Sequence, residues 1–174
     1  PMTVLEGPPG AGKTALLATW FTQTARPAGW LSVDADDVDP IRFAVHFAAA
    51  VQQAHPDLVR DLNGLCALPR SAEIEVIWAE QVVAPLRESG ARVVVVLDDL
   101  HYAYAVSKIA AAFDWLFARM PPGLSVLASS ERELPSGPRF PVRSAISRAP
   151  EGLPPALSVP DRLCPDRSEE HTSE

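Results

Sequence analysis

Two kinds of hydrophobic pattern alternate along the chain. Short, mainly apolar runs occur at Thr3-Val4-Leu5, Gly29-Trp30-Leu31-Ser32-Val33-Asp34, Arg92-Val93-Val94-Val95-Val96-Leu97 and Leu124-Ser125-Val126-Leu127-Ala128-Ser129. They are too short for helices and read as strands; the unbroken β-branched run before Leu97 is what a parallel strand buried on both faces requires. Between them the spacing turns helical. Leu17, Trp20, Phe21 and Thr24 share one face, and Ile41, Val45, Ala48 and Gln52 share another, with Phe43 and Phe47 to the side. Ile74, Trp78 and Val82 predict a helix over about 71–88, and Val106, Ile109, Phe113, Leu116 and Met120 predict one over about 103–119. Residues 57–70 carry no regular pattern, and no internal repeat is visible.

Turn and cap residues punctuate these segments. Arg26-Pro27-Ala28-Gly29 and Pro121-Pro122-Gly123 end helices, and His55-Pro56 stops another. Asp39 is placed as an N-cap, with Pro40 at the first helical position, where its missing N–H costs nothing. Pro85, inside a helical pattern, predicts a kink. Strands alternating with helices predict an α/β fold with a parallel sheet flanked by helices.

The chemistry concentrates at the end of the first strand. Gly7-Pro8-Pro9-Gly10-Ala11-Gly12-Lys13-Thr14 is a complete G-x-x-x-x-G-K-[ST] loop in strand–loop–helix context. Its glycines let backbone N–H groups turn inward toward phosphate oxygens at the positive end of a helix. Lys13 supplies a cation for the β- and γ-phosphates, and the Thr14 hydroxyl can ligate Mg²⁺. Lysine is otherwise almost unused: Lys13 and Lys108 are the only two.

A second element completes the expectation. The strand ending at Leu97 runs into Asp98-Asp99, and open α/β sheets place ligands at the carboxyl ends of their strands. Asp98 is expected to hold the Mg²⁺ that bridges the phosphates, and Asp99 to polarise an attacking water or sense the γ-phosphate. Ser129 or Ser130, with Arg132, end the fourth strand where phosphate-sensing groups sit in such folds, and Arg132 is a candidate sensor. His101 reads equally as a neighbour of the γ-phosphate or as a structural turn residue; His46 and His55 read as structural. Asp34, Asp36, Asp37 and Asp39 lack the glycine and distal glutamate of a calcium loop, and are read as a solvated acidic turn plus a helix cap.

Composition narrows the class. The 174 residues suffice for one domain with a sizeable core, and 47% apolar with 21% charged residues is ordinary for a globular protein. No run of about 18 apolar residues is present and no leader-type segment opens the sequence, so a cytoplasmic protein without membrane contact is expected. A net charge of −7 argues against direct grip on a nucleic-acid backbone. Cys66 and Cys164 lack metal-type spacing and are expected to be reduced.

These segments resemble the MalT-like signalling ATPases, large ATP-binding regulators with a LuxR-type DNA-binding end. The resemblance runs through Gly7–Thr14 and Ala15-Leu16-Leu17-Ala18-Thr19-Trp20, then Gly29-Trp30-Leu31-Ser32-Val33-Asp34. It continues in family order through Asp36-Asp37-Val38-Asp39-Pro40, Arg42-Phe43, Val96-Leu97-Asp98-Asp99-Leu100-His101 and Met120-Pro121-Pro122-Gly123-Leu124. It implies a P-loop NTPase domain, ATP with Mg²⁺ as cofactors, slow hydrolysis that resets a switch, and self-association of the full-length protein. It also implies DNA contact only through a C-terminal domain that this sequence does not contain.

The usual Leu/Arg-rich continuation is not found after Glu131. The expected organisation is therefore an incomplete P-loop NTPase domain over residues 1–132 and a Pro/Ser/Arg-rich tail, disordered or non-native, over 133–174. The tail's end, Arg167-Ser168-Glu169-Glu170-His171-Thr172-Ser173-Glu174, resembles the translation of a sequencing-library adapter. Two other readings stand beside the switch domain: a P-loop kinase acting on a small molecule, and a fragment inactive on its own.

Overall fold

In the computed structural model the described residues are 1–34, 39–59, 61–69 and 72–134. Four strands, β1 (Met2–Glu6), β2 (Ala28–Ser32), β3 (Val93–Asp98) and β4 (Leu124–Ser130), form one sheet in the order β1-β4-β3-β2. All three pairings are parallel, because each strand returns through a helical crossover. The register sets Leu5 opposite Ser129, Leu97 opposite Ala128 and Ser32 opposite Asp98, so the carboxyl ends of all four strands finish at one level. The predicted α/β class and parallel sheet are borne out.

Helix α1 (Lys13–Gln23) follows the loop, and α2 (Pro40–Ala54) starts where the cap residues predict. Asp39 Oδ1 accepts from the N–H groups of Ile41 at 2.9 Å and Arg42 at 3.2 Å, satisfying two of the donors a helix start leaves unpaired. Both apolar stripes of α2 are used: Ile41, Val45 and Ala48 are buried together with Phe43 and Phe47. Within the pattern-poor stretch, α3 (Leu62–Cys66) forms on an Asp61 cap, its carboxylate accepting from Gly64 N–H at 2.8 Å.

The helix expected over about 71–88 is divided. It runs as α4 (Ile74–Trp78), a π-helical turn (Ala79–Val83) and α5 (Ala84–Ser89). Pro85 has no N–H to donate and its ring would meet a carbonyl one turn back; the wider turn, closed by Ala84 N–H on the Ala79 carbonyl, accommodates it. The last helix is likewise two pieces, α6 (His101–Tyr104) and α7 (Ser107–Arg119), separated where Val106 adopts an extended backbone. Ile109, Phe113 and Leu116 of the predicted stripe are fully buried, with Val106 and Met120 at its margins.

The larger core lies on the sheet face covered by α2, α4 and α7. Its centre is aromatic, with Trp78 at 4.8 Å from Phe47 and 5.3 Å from Phe113, and Phe43 at 5.7 Å from Phe113, between ring centroids. Truncating a ring of this size to alanine costs about 3–5 kcal/mol. On the other face Leu5, Leu17, Trp30 and Val96 form a smaller cluster under α1, where Phe21 meets Trp30 edge-on at 5.6 Å. At the β2 edge the Trp30 N–H donates to the Gln53 side chain at 2.7 Å, satisfying a donor that would otherwise face outward.

Glu133 and Leu134 continue the described chain; Leu134 is buried in the main core and its N–H donates to Glu6 Oε1 at 3.2 Å. The remainder of the expected tail, residues 135–174, lies outside the described residues. Cys66 ends α3, and Cys164, the other cysteine whose reduced state the sequence predicts, lies outside the described residues. No described helix is long and apolar enough to cross a membrane.

Two glycines test the packing in opposite ways. A Cβ on Gly29 would lie 1.7 Å from the Ala50 carbonyl oxygen, whereas one on Gly90 would meet nothing within 4 Å but would sit at a φ of +65°. Gly29→Ala is expected to lower the denaturation free energy by about 3 kcal/mol or more, through overpacking. Gly90→Ala should cost only ~1–2 kcal/mol, through backbone strain. Chemical denaturation of both variants checks this; equal midpoints would show that β2 and α2 are not held in such close approach.

Candidate functional site

The four strand ends and the first turn of α1 converge on one surface. From Gly7 to Gly12 the chain makes a compact loop: Gly7 N–H donates to the Ser130 carbonyl at 3.2 Å, and Ala11 N–H to that of Pro8 at 3.2 Å. Gly10 and Gly12 hold φ of 77° and 80°, a region open to glycine at little cost, and Gly12 is the N-cap of α1. Among the described residues no side chain caps this helix, so the N–H groups of its first turn are available to an anion, at the end where the helix dipole favours negative charge. The Lys13 ammonium lies over the loop, donating to the carbonyls of Gly7 at 2.9 Å and Pro8 at 3.0 Å. Pro8 and Pro9 have no N–H to offer, which leaves donation to the residues on either side.

Thr14 links the loop to the acidic strand end. Its hydroxyl donates to Asp98 Oδ1 at 3.1 Å, and β4, lying between β1 and β3, adds a second hydroxyl: Ser129 donates to the same oxygen. Asp98 is only 5% exposed and Ser129 is completely buried. Among the described residues Asp98 Oδ2 receives no hydrogen bond. A carboxylate and a hydroxyl in contact are the hard-oxygen donors that Mg²⁺ takes from a protein when phosphate and water fill its other positions. Among the described residues no group of three or more His, Cys, Asp or Glu could hold a metal by itself, so the donor set fits this shared mode of binding.

Asp99 follows at a φ of 58°, the left-handed region that costs a non-glycine residue free energy and that Asp tolerates better than most. Its N–H donates to Ser129 Oγ at 2.8 Å, and the next N–H, of Leu100, donates to the Ser129 carbonyl at 2.9 Å. Burial, reinforced by Asp98 and Glu131 and opposed by His101 and Lys13, pushes the Asp99 carboxyl above the ordinary aspartate range.

His101 is 9% exposed and wedged between strand ends, its ring 4.1 Å from that of Tyr102. Glu131 N–H points at Nδ1 from 3.5 Å, while Asp99 Oδ1 and Glu131 Oε2 lie 3.9 Å from Nδ1 and Nε2. These are separations of a packed ring beside charges rather than of strong hydrogen bonds. Arg132 lies two residues past β4 in a turn closed on Ser130: its N–H donates to Ser130 Oγ at 3.2 Å and its carbonyl accepts from the same hydroxyl. Its side chain is exposed, and among the described residues no hydrogen bond joins it to the loop. The loop residues, Asp98 and Asp99 are thus brought together as the sequence predicts, and Arg132 stands at the rim. Asp34 is exposed and Asp39 caps α2, while Asp36 and Asp37 lie outside the described residues. Glu131 beside His101 and the Ser129 bridge have no signal in local spacing, which does not report which strand lies between two others.

A parallel sheet whose first strand delivers this loop to a helix, two strands away from an acidic strand end, is the fold of a P-loop NTPase. The AAA ATPase domain family matches residues 1–128, and the chain belongs to that family. The HTH-type transcriptional regulator MalT of Vibrio cholerae is 26% identical over 136 residues, 78% of this chain and 15% of that protein. MalT of Yersinia enterocolitica is 31% identical over 100 residues, 58% of this chain and 11% of that protein. The resemblance to MalT-like ATPases is borne out, and the chain spans a small part of the length of the curated relatives it matches. A solved structure of C. elegans PCH-2 aligns with 86% of this chain and 36% of its own, at 16% identity and a TM-score of 0.46, below the level that establishes a shared fold.

The raised pKa of Asp99 has a definite sign. Between the ordinary aspartate value of 3.8 and the raised one, the unfolded chain releases this proton before the folded chain does, so rising pH erodes stability through this group. Asp99→Asn, which also suits a left-handed backbone, is expected to melt at a higher temperature than the parent at neutral pH. The gain should shrink as pH falls through that window toward 3.8. Melting curves across pH check this, and a variant less stable than the parent at neutral pH would refute it.

Proposed function

We propose that this chain is the ATP-binding, slowly hydrolysing switch domain of a LuxR-type bacterial transcriptional regulator. The observation that carries the reading is the Thr14–Asp98 contact, which joins the phosphate loop to the acidic strand end across 84 residues of sequence. The family match and the MalT relatives support the same assignment.

In this reading the backbone N–H groups of Gly10, Gly12, Lys13 and Thr14 take up the phosphates, with Gly7, Pro8, Pro9 and Ala11 shaping the loop, the Ala11 N–H closing it on the Pro8 carbonyl. Lys13 turns its ammonium from loop carbonyls to phosphate oxygens, exchanging dipolar partners for ionic ones. Thr14 and Asp98 would hold Mg²⁺, which when bound neutralises charge developing between the β- and γ-phosphates. Asp99 accepts a hydrogen bond from the attacking water and orients it; at Asp99 the water's proton meets a carboxylate whose proton affinity burial has raised. Arg132, exposed two residues past β4, would serve in this reading as the sensor that reports the γ-phosphate to the chain beyond it. DNA contact and self-association belong to the rest of such a regulator, consistent with a net charge of −7 here.

The test is nucleotide binding by the intact chain and by Lys13→Ala. The parent is expected to bind Mg-ATP, and the variant to weaken binding by at least about tenfold, the loss of a charge-assisted contact of 1.5–3 kcal/mol. Equal affinity in both would overturn the assignment. A coupled assay over small-molecule acceptors separates the kinase alternative: phosphorylated product would favour it, and slow release of inorganic phosphate supports the switch.

A further inference from the structure

Resting on the ATP-site reading above, we propose that Ser129 is the positioning residue that couples metal binding at Asp98 to the placement of Asp99. The two acidic residues are adjacent in sequence but have different tasks. Asp98 must offer one oxygen to a cation, and Asp99 must hold its carboxyl over the reacting water from a left-handed backbone that costs free energy. Ser129 acts on both at once. Its hydroxyl donates to Asp98 Oδ1 and accepts the Asp99 N–H at 2.8 Å, while its carbonyl takes the Leu100 N–H at 2.9 Å.

The hydroxyl has one proton to give and the geometry assigns it to Asp98, because the Asp99 N–H can only donate. With Thr14 converging on the same Oδ1, the carboxylate is rotationally pinned and Oδ2 is the oxygen left for the cation or its water. Ser129 itself is fully buried, so a solvent molecule replaces its hydroxyl only by opening the β3–β4 ladder. Changing the charge at Asp98 therefore changes the strength of the Ser129 hydrogen bond, and through it the grip on the Asp99 backbone. The metal and the water-orienting carboxyl are linked through one side chain from a neighbouring strand.

ATP affinity of the full chain is measured with Mg²⁺ and with EDTA, for the parent, Ser129→Ala and Ser129→Cys. The parent binds more tightly with Mg²⁺. Ser129→Ala is expected to keep its metal-free affinity, which the loop supplies, and to lose about tenfold or more of the Mg²⁺-dependent gain, the usual effect of removing a group that orients a metal ligand. Ser129→Cys fills nearly the same volume with a weak donor and is expected to lose much of the same gain, which separates the hydrogen bond from a cavity or a folding defect. Full Mg²⁺ enhancement in either variant, or equal losses with and without metal, would overturn the role of Ser129 alone. A parent that gains nothing from Mg²⁺ would overturn the ATP-site reading and this proposal with it.

Discussion

Strand β4 lies between the strand that launches the phosphate loop and the strand that ends in Asp98-Asp99, and the geometry of the site depends on that insertion. It separates the loop from the acidic pair by one strand width in addition to the adjacent spacing, roughly 10 Å in all for strands about 4.8 Å apart. That gap leaves room for side chains from both flanks to meet above β4: Thr14 reaches over from α1 and Asp98 from β3, with the hydroxyl of Ser129 beneath them. Placed side by side, β1 and β3 would bring the loop against the carboxylates with no intervening donor.

The two faces of the sheet are built unequally. One face carries almost the whole hydrophobic core, with four aromatic rings interlocked between α2, α4 and α7. Among the described residues the other carries α1 alone over a small cluster, with Leu16, Trp20, Phe21 and Leu127 partly covered. The heavy face holds the strand ends rigid. The light face carries the helix whose amino end forms the loop, and such lightly packed elements open at lower free energy than a core. A ligand that joins the α1 terminus to the strand ends therefore adds stability where the protein itself supplies least.

How much of this was legible in the sequence follows from range. The Asp39-Pro40 cap, the run Val93–Leu97 and the glycine pattern of the loop are signals confined to a few residues, and each appears where it was read. The π turn ahead of Pro85 and the break before Ser107 were half visible: a proline announces that a helix must adjust, but not how, and Val106 gives no local sign of an extended backbone. The Asp98–Ser129 bridge and the seating of His101 beside Glu131 depend on strand order, which hydrophobic periodicity does not encode.

The pairing of β1 with β4 also orders events in time. Met2 to Glu6 pair with Val126 to Ser130, so β1 has nothing to bind until the chain through β4 has been made. A contact between such distant segments carries a large loop-closure entropy and is slow to form. The β2–β3 pair and the helices between them can condense earlier, leaving the phosphate loop unfixed until β4 is in place. The loop is thus made well before β4 and becomes a binding site only once β4 has joined the sheet.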